Sequence, residues 1–407
     1  MTIAKTSDPH ATATNGSPYQ STSHSSAVGV DNSRLLSEAA VATYVVSQIV
    51  TQCSTAAASM PQLPWQGIDM LGQSASIALA FLAIALNRKG AAQATLLGCM
   101  ACALLCSASR AIDFRLVAGF FVIASIARED MQRACKLHCS ATLFAVTLLM
   151  TASLLGIISN PDFMPNGRIV FGYGFRHPNT LGGLLFSASG ALTFSRWRKG
   201  SLALPLVLSG TCAVFSYIGL SSNAAAALCG SLLTINLIGI IFPACRSVKV
   251  PNTIAIISFI GIPALLFLVM TATASGYDSA NGAFAFINRV THARPYYSHE
   301  YFNAAGGFTL LGAPTIVRYG HHSGGAFWGI DSGYSQLTLV YGMAVTALTA
   351  CTYAIASWKA SRRGVDLAAT AIVILCALYL VVEPFPLFLY SNFALLFLEN
   401  AFEDEKR

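Results

Sequence analysis

The chain has 407 residues, 55% of them apolar and 10% charged, and its mean hydropathy is +0.60. A soluble domain needs a more polar surface than that, so the composition excludes a water-soluble enzyme and points to a bilayer as solvent. The formal net charge of +7 is spread over short turns between apolar runs, and no nucleic-acid partner is expected from it.

Residues 1–33 are rich in Ser, Thr, Ala and Asn and hold no apolar run, so they are expected to form a disordered cytoplasmic tail. No signal peptide is visible there. Residues 34–407 read as one integral membrane domain. Spans are expected near 35–59, 73–87, 91–109, 113–127 and 138–159, followed by an external loop at 160–180. Further spans near 181–195, 201–220, 224–243 and 252–273 lead to a second, larger external loop at 274–333. Spans near 334–356, 366–382 and 385–401 complete an all-α, polytopic membrane bundle of about twelve helices. The second, fourth, sixth and eleventh are short for a bilayer of about 30 Å, which predicts that one or two are merged, broken or re-entrant.

Eleven cysteines fall in spans or cytoplasmic turns and none in the large outer loop, so no disulfide framework is expected. Cys99, Cys102 and Cys106 share a helical face, where small residues serve close packing.

Cytoplasmic turns of such proteins collect Lys and Arg. Placing the N-terminus inside puts seventeen cations in the cytoplasm and seven outside, so both termini are expected to be cytoplasmic, in the inner membrane. The seven outer cations are Arg110, Arg115, Arg168, Arg176, Arg289, Arg294 and Arg318, none of them among the seven lysines. A guanidinium forks onto two phosphate oxygens with fixed geometry, which an ammonium cannot do. Diphosphate recognition is one reading of this asymmetry; anchoring at lipid headgroups and helix capping are the others.

Loops longer than about 15 residues are usually functional or disordered. The loop at 274–333 carries eleven aromatic side chains, Tyr277 and Trp328 among them, which fit either a packed cap on the membrane or stacking against sugar rings. Five histidines, His177, His292, His299, His321 and His322, also lie on this side. General acid/base use or hydrogen bonding suits them better than a metal, for which convergent ligands are required, and no cofactor is expected.

The stretch Phe171-Gly172-Tyr173-Gly174-Phe175-Arg176-His177-Pro178-Asn179-Thr180-Leu181-Gly182-Gly183 resembles the Wzy-type polysaccharide polymerases, which carry a Gly-aromatic, His-Pro-Asn, Gly pattern leading into a span. Asn288, Arg294, Gly312, Asp331-Ser332-Gly333-Tyr334 and Tyr341-Gly342 follow in the order seen in exopolysaccharide members of that family. The similarity covers roughly residues 160–345. It implies a GT-C-like fold, shared with O-antigen ligases, and metal-independent glycosyl transfer from undecaprenyl-diphosphate-linked oligosaccharides, with membrane lipid around the enzyme and a chain-length regulator as a candidate partner. Ser221-Ser222-Asn223 stands where relatives often show a Ser-Arg pair, so Arg168 or Arg176 would have to replace that arginine. Ligase relatives often place His where this chain has Asp331.

Such a reaction needs a base on the acceptor hydroxyl and cations on the departing diphosphate. The expected catalytic set is Asp331 as base, Arg294 and Arg176 as clamp, and His321 and His322. Arg168, His177, Asn179, Asn288, Arg289, Arg318 and Tyr334 are expected to bind substrate. Asp331 and Asn179 could equally cap helices, and Tyr334 could anchor at the membrane interface. The competing functions are an O-antigen-ligase-like glycan transferase and a polysaccharide transporter or flippase.

Overall fold

The computed structural model describes residues 24–86, 91–111, 113–126, 131–163, 168–198, 200–313 and 330–402. The expected tail therefore lies mostly outside the described residues, as do Arg318, His321 and His322. Helices α1 (His24–Gln48), α2 (Ala56–Ser59), α3 (Trp65–Leu86), α4 (Ala91–Ala111), α5 (Arg115–Ser125) and α6 (Met131–Leu154) precede a two-stranded hairpin of β1 (Asp162–Phe163) and β2 (Val170–Phe171). Then come α7 (Pro178–Arg196), α8 (Ala203–Ile218), α9 (Asn223–Ile241), α10 (Asn252–Ile256) and α11 (Ile262–Gly276). The large loop contains α12 (Gly282–Val290) and α13 (Arg294–Ala304), and α14 (Gly333–Leu339), α15 (Gly342–Arg363) and α16 (Leu367–Val382) follow it. The protein is thus all-α apart from one hairpin.

Four helical stretches are long and apolar enough to cross a membrane: Trp65–Leu86, Met131–Leu154, Asn223–Ile241 and Asn252–Gly276. Shorter apolar helices, including Ala203–Ile218 and Leu367–Val382, pack among them. Exposed Leu71, Phe81, Phe144, Val207 and Leu268 put large apolar side chains on the outside of the bundle, as a lipid environment requires.

Three expected spans are broken. The first ends in a π-helical turn, Ile49–Cys53, after which Ser54 is extended and bridges Phe175. The tenth is split between α14 and α15, because the backbone of the preceding loop crosses the break. There Met343 N–H donates to the Thr309 carbonyl, Ala344 N–H to that of Leu310, and Ala313 N–H to that of Leu339. Gly312 (φ +82°) and Gly342 (φ +87°) make this crossing fit: a Cβ on Gly312 would lie 1.9 Å from the Val340 oxygen, and one on Gly342 would lie 2.1 Å from the Gly312 nitrogen. The twelfth expected span is no α-helix but three 3-10 turns, Phe385–Leu387, Leu389–Ser391 and Phe393–Phe402. Pro384 and Pro386 remove donors at its start. Irregular backbone at membrane depth is tolerated only when protein covers it. Here Leu389, Tyr390, Phe393 and Leu396 are buried, Asn392 donates to the Pro386 carbonyl, and the Ser187 hydroxyl accepts from Phe393 N–H.

Helix α7 is the central column, with fifteen of its nineteen residues buried. Its small residues let neighbours approach: a Cβ on Gly183 would meet Phe385 and Tyr379, and one on Gly190 would meet Phe393. Helix α16 runs antiparallel beside it. The start of α7 touches the end of α16 through Asn179 and Glu383, and its far end meets the start of α16 through Arg198 and Asp366. Sixteen helical residues separate two polar poles by roughly 25 Å.

Candidate functional site

The first pole gathers the motif residues. The segment before α7 is fixed by Gly172-Tyr173-Gly174, where Tyr173 (φ +51°) and Gly174 (φ +84°) turn the chain. Thr55 N–H then donates to the Gly174 carbonyl and Arg176 N–H to that of Cys53, which locks the turn to the broken end of the first span. His177 caps α7, its Nδ1 accepting from Asn179 N–H at 3.1 Å, and Pro178 occupies the first helical position, where no N–H is needed. Asn179 is therefore not itself the cap, and its side chain is free to donate to Glu383 Oε1 at 2.8 Å.

Glu383 ends α16 and is buried. Arg294, the first residue of α13, stands with Nη2 3.8 Å from its carboxylate. That separation is too long for a tight ion pair. Burial prevails over the arginine, and the Glu383 carboxyl is pushed up to about 8 by desolvation, with Arg294 opposing and Asp331 reinforcing the shift. Desolvation likewise raises Asp331, and Arg294 pulls it back. His177 is lowered, first by desolvation and then by the charge of Arg294. Four chain segments thus bring His177, Asn179, Arg294, Asp331 and Glu383 within electrostatic reach of one another.

The N-cap of α14 is Ser332, without a side-chain cap bond, and Asp331 makes no hydrogen bond or ion pair among the described residues. The helix-capping role is therefore not what holds this carboxylate. Beside a half-buried arginine and a carboxylic acid with a raised pKa, a carboxylate that has no bond among the described residues is suited to accept a proton from a bound hydroxyl.

The arginines are used differently from the free forks that the sequence suggests. Arg294 donates Nε–H to the Val382 carbonyl and Nη1–H to that of His292, leaving the Nη2 side toward Glu383. Arg176 donates from Nε and Nη2 to the carbonyls of Ser54 and Thr51, closing the π-turn and keeping Nη1. Arg168 ties the hairpin to the Ile218 carbonyl at the end of α8. Each holds backbone first and has only part of its guanidinium left for a ligand. Arg289 is exposed on α12 and forms no ion pair among the described residues. Asn288 accepts from Tyr296 N–H, bracing α12 against α13. Tyr334, expected at the substrate or the membrane interface, lies buried with its hydroxyl donating to the Ala377 carbonyl, so both ring and hydroxyl are spent on packing α14 against α16.

The loop aromatics pack on each other: Tyr277 contacts Phe284, Tyr296 and His299, and Phe302 meets Phe308 at 4.9 Å. His299 also bonds the Ala274 carbonyl, tying this cap to α11.

Two further polar clusters are built around Asp113 and Asp69, neither of which the sequence marks as a site residue. Arg115 forks onto Asp113, at 2.8 Å from Nε to Oδ1 and 2.5 Å from Nη2 to Oδ2, and Tyr341 donates to Asp113 at 2.6 Å. The pair staples the α4–α5 turn to the start of α15. Asp69 of α3 accepts from Gln48, Thr51, Gln52 and Gln73 around the π-turn. The spacing Asp113-Phe114-Arg115 was the available clue for the first cluster; the second depends on a helix irregularity that apolar periodicity does not announce.

All eleven cysteines are free, and among the described residues no three His, Cys, Asp or Glu side chains converge as a metal site. Two cavities, of about 220 and 380 Å³, lie at the opposite pole and not at this one. The polar convergence, and not cavity size, marks the candidate site. No protein-family model, no curated protein and no solved structure matches the chain.

Proposed function

We propose that the protein is a membrane glycosyltransferase that joins lipid-linked oligosaccharide repeats into a polysaccharide. In this reading about twelve segments traverse the inner membrane, counting the broken ones, both termini are cytoplasmic, and the Arg294 pole faces outward. The donor is an undecaprenyl-diphosphate-linked glycan and a chain-length regulator is a candidate partner. The observation that carries the reading is the convergence of Arg294, Glu383, Asn179, His177 and the uncommitted Asp331, because glycosyl transfer from a diphosphate needs one base and one retained positive charge. The acceptor hydroxyl attacks the donor's anomeric carbon while its proton passes to Asp331. The bond from that carbon to the diphosphate oxygen breaks, and the electron pair leaves on the diphosphate, met by Arg294. A neutral Glu383 leaves the arginine's charge uncompensated for that purpose.

Transport of the lipid-linked glycan is a second reading, favoured by the broken first span and the Asp69 cluster beside it. Half-broken helices and intramembrane carboxylates are common in transporters. The test is incubation of membranes containing the protein with lipid-linked repeats, followed by gel analysis of the products. A ladder lost in Asp331→Asn supports polymerisation. Transfer of glycan to a second acceptor without lengthening favours the ligase, and glycan crossing the membrane unlengthened, with loss in Asp69→Asn, favours transport.

A further inference from the structure

The pole opposite the Arg294 site holds a cleft of about 380 Å³ lined by Arg198, Pro243, Arg246, Ser247 and Lys249. Three of its five residues are cationic and none is acidic. Arg246 gives Nε and Nη2 to the carbonyls of Trp197, Arg196 and Gly200 at the end of α7, which leaves Nη1. Lys249 gives one of its three N–H groups to the Arg363 carbonyl at 3.1 Å. Neither forms an ion pair among the described residues. Arg198 is the exception, with Nε 2.8 Å from Asp366 Oδ2, and both of its terminal nitrogens remain available. Backbone carbonyls orient these cations without cancelling their charge.

The 220 Å³ cavity shares Arg198 with this cleft, and its walls include Phe194, Phe259, Ala369 and Phe397. The other side of that cavity is polar, with Gln132, Arg363, Asp366, Glu399 and Asn400, so a chamber with one apolar wall adjoins a cationic cleft at one end of a membrane bundle. A free anion would use only the cleft, whereas an amphiphile uses both.

We infer that this pole binds an anionic membrane lipid, with its phosphate between Arg198, Arg246 and Lys249 and its apolar part toward the Phe194–Phe259–Phe397 chamber. The shared chemistry is that of a phosphate ester, and the adjoining apolar walls select the lipid over inorganic phosphate. Positively charged turns attract anionic headgroups in general. A built cleft differs from such a turn because it discriminates between cations that line it and cations that do not. Arg362 supplies the comparison: it lies at the same pole, outside both cavities, stacked 4.7 Å over Trp358.

Native mass spectrometry of the full chain in non-ionic detergent, titrated with phosphatidylglycerol, phosphatidylcholine or inorganic diphosphate, tests this. Phosphatidylglycerol should be retained about tenfold better than phosphatidylcholine. Lys249→Gln and Ser247→Asp should each lower its retention about tenfold. Arg362→Gln should change it by less than about twofold. Ser247 is exposed and its hydroxyl bonds only the Ala244 carbonyl, so the aspartate is compatible with the fold, which thermal melting verifies. Equal retention of the two lipids would overturn the inference, as would equal losses in Arg362→Gln and Lys249→Gln. Diphosphate binding as tightly as the anionic lipid would overturn the lipid assignment. None of these outcomes depends on whether the other pole catalyses glycosyl transfer.

Discussion

The two ends of α16 carry one carboxylate each and treat it in opposite ways. Asp366, at the start, accepts from Ala369 N–H as an N-cap and pairs with Arg198, whose side chain is 46% exposed. Glu383, at the end, is buried, has a neutral amide donor, and stands 3.8 Å from an arginine that is only 16% exposed. Both carboxylates are buried, but the first is met by a guanidinium at 2.8 Å and a backbone N–H, whereas the second has its nearest guanidinium at 3.8 Å and is a desolvated acid whose proton is held near neutrality. The difference shows that a charge at a helix end is not informative by residue type. What matters is whether solvent or a close partner has already neutralised it.

The largest effect that would break this contrast is at the backbone behind the Arg294 pole. Gly312→Ala puts a methyl 1.9 Å from the Val340 oxygen at a positive φ, and backbone cannot yield there as a side chain would. Folded protein should fall to a small fraction of wild type, measured by fluorescence-detected size exclusion. A glycine at an open site, Gly230, should tolerate alanine. Normal yield of Gly312→Ala would mean that the α14–α15 crossing is not as close as described.

Next comes Asp331. As the base it should lose activity on the order of a hundredfold or more when changed to Asn, with abundance unchanged. Among the described residues Asp331 caps no helix, so a loss on changing it to Asn would not be the loss of a cap. His177 offers a control for the histidines on this side: as an N-cap, its replacement by Asn should preserve fold and most activity. A silent Asp331→Asn would move the base to Glu383, or to His321 or His322 outside the described residues.

Arg294→Lys should reduce polymerisation almost as much as Arg294→Ala, roughly tenfold or more, but for a reason the sequence alone did not supply. Nε and Nη1 of Arg294 already hold the carbonyls of Val382 and His292. An ammonium cannot brace two carbonyls and still face Glu383 with a third donor. Polymer length on lipid-linked repeats measures this, and full activity with lysine would reduce the arginine to simple charge.

The helical class and the four long apolar helices were legible because apolar runs and turns alternate along the chain. The breaks were not. The first span and the final segment both read as continuous spans, and their π and 3-10 turns are met by contacts with Phe175 and Ser187 far away in sequence. Within the site, the His-Pro-Asn motif and Arg294 were readable as residue types at loop ends. Glu383 follows the expected span at 366–382 and has no motif around it; its place in the site comes from burial beside Asn179, more than two hundred residues earlier. Nor does the sequence show that the Tyr334 hydroxyl is held by the Ala377 carbonyl.

The smallest expected effect sharpens the comparison most, because it sets the two carboxylates of α16 side by side in one stability measurement. A buried acid whose folded value is near 8, against about 4.5 in the unfolded chain, binds its proton more tightly when folded. In that window the unfolded state carries fewer protons, so stability falls as pH rises from about 4.5 through about 8 and levels off on either side. The slope attributable to one such group is at most about 1.4 kcal/mol per pH unit. Glu383→Gln removes the titration and keeps the acceptor for Asn179, so its melting temperature relative to wild type should rise between pH 5 and pH 8. Asp366→Asn keeps the cap and loses the ion pair to Arg198, so it should lower the melting temperature below that of wild type. Parallel curves for Glu383→Gln and wild type would show that water reaches Glu383, and the contrast between the two ends of α16 would then fail.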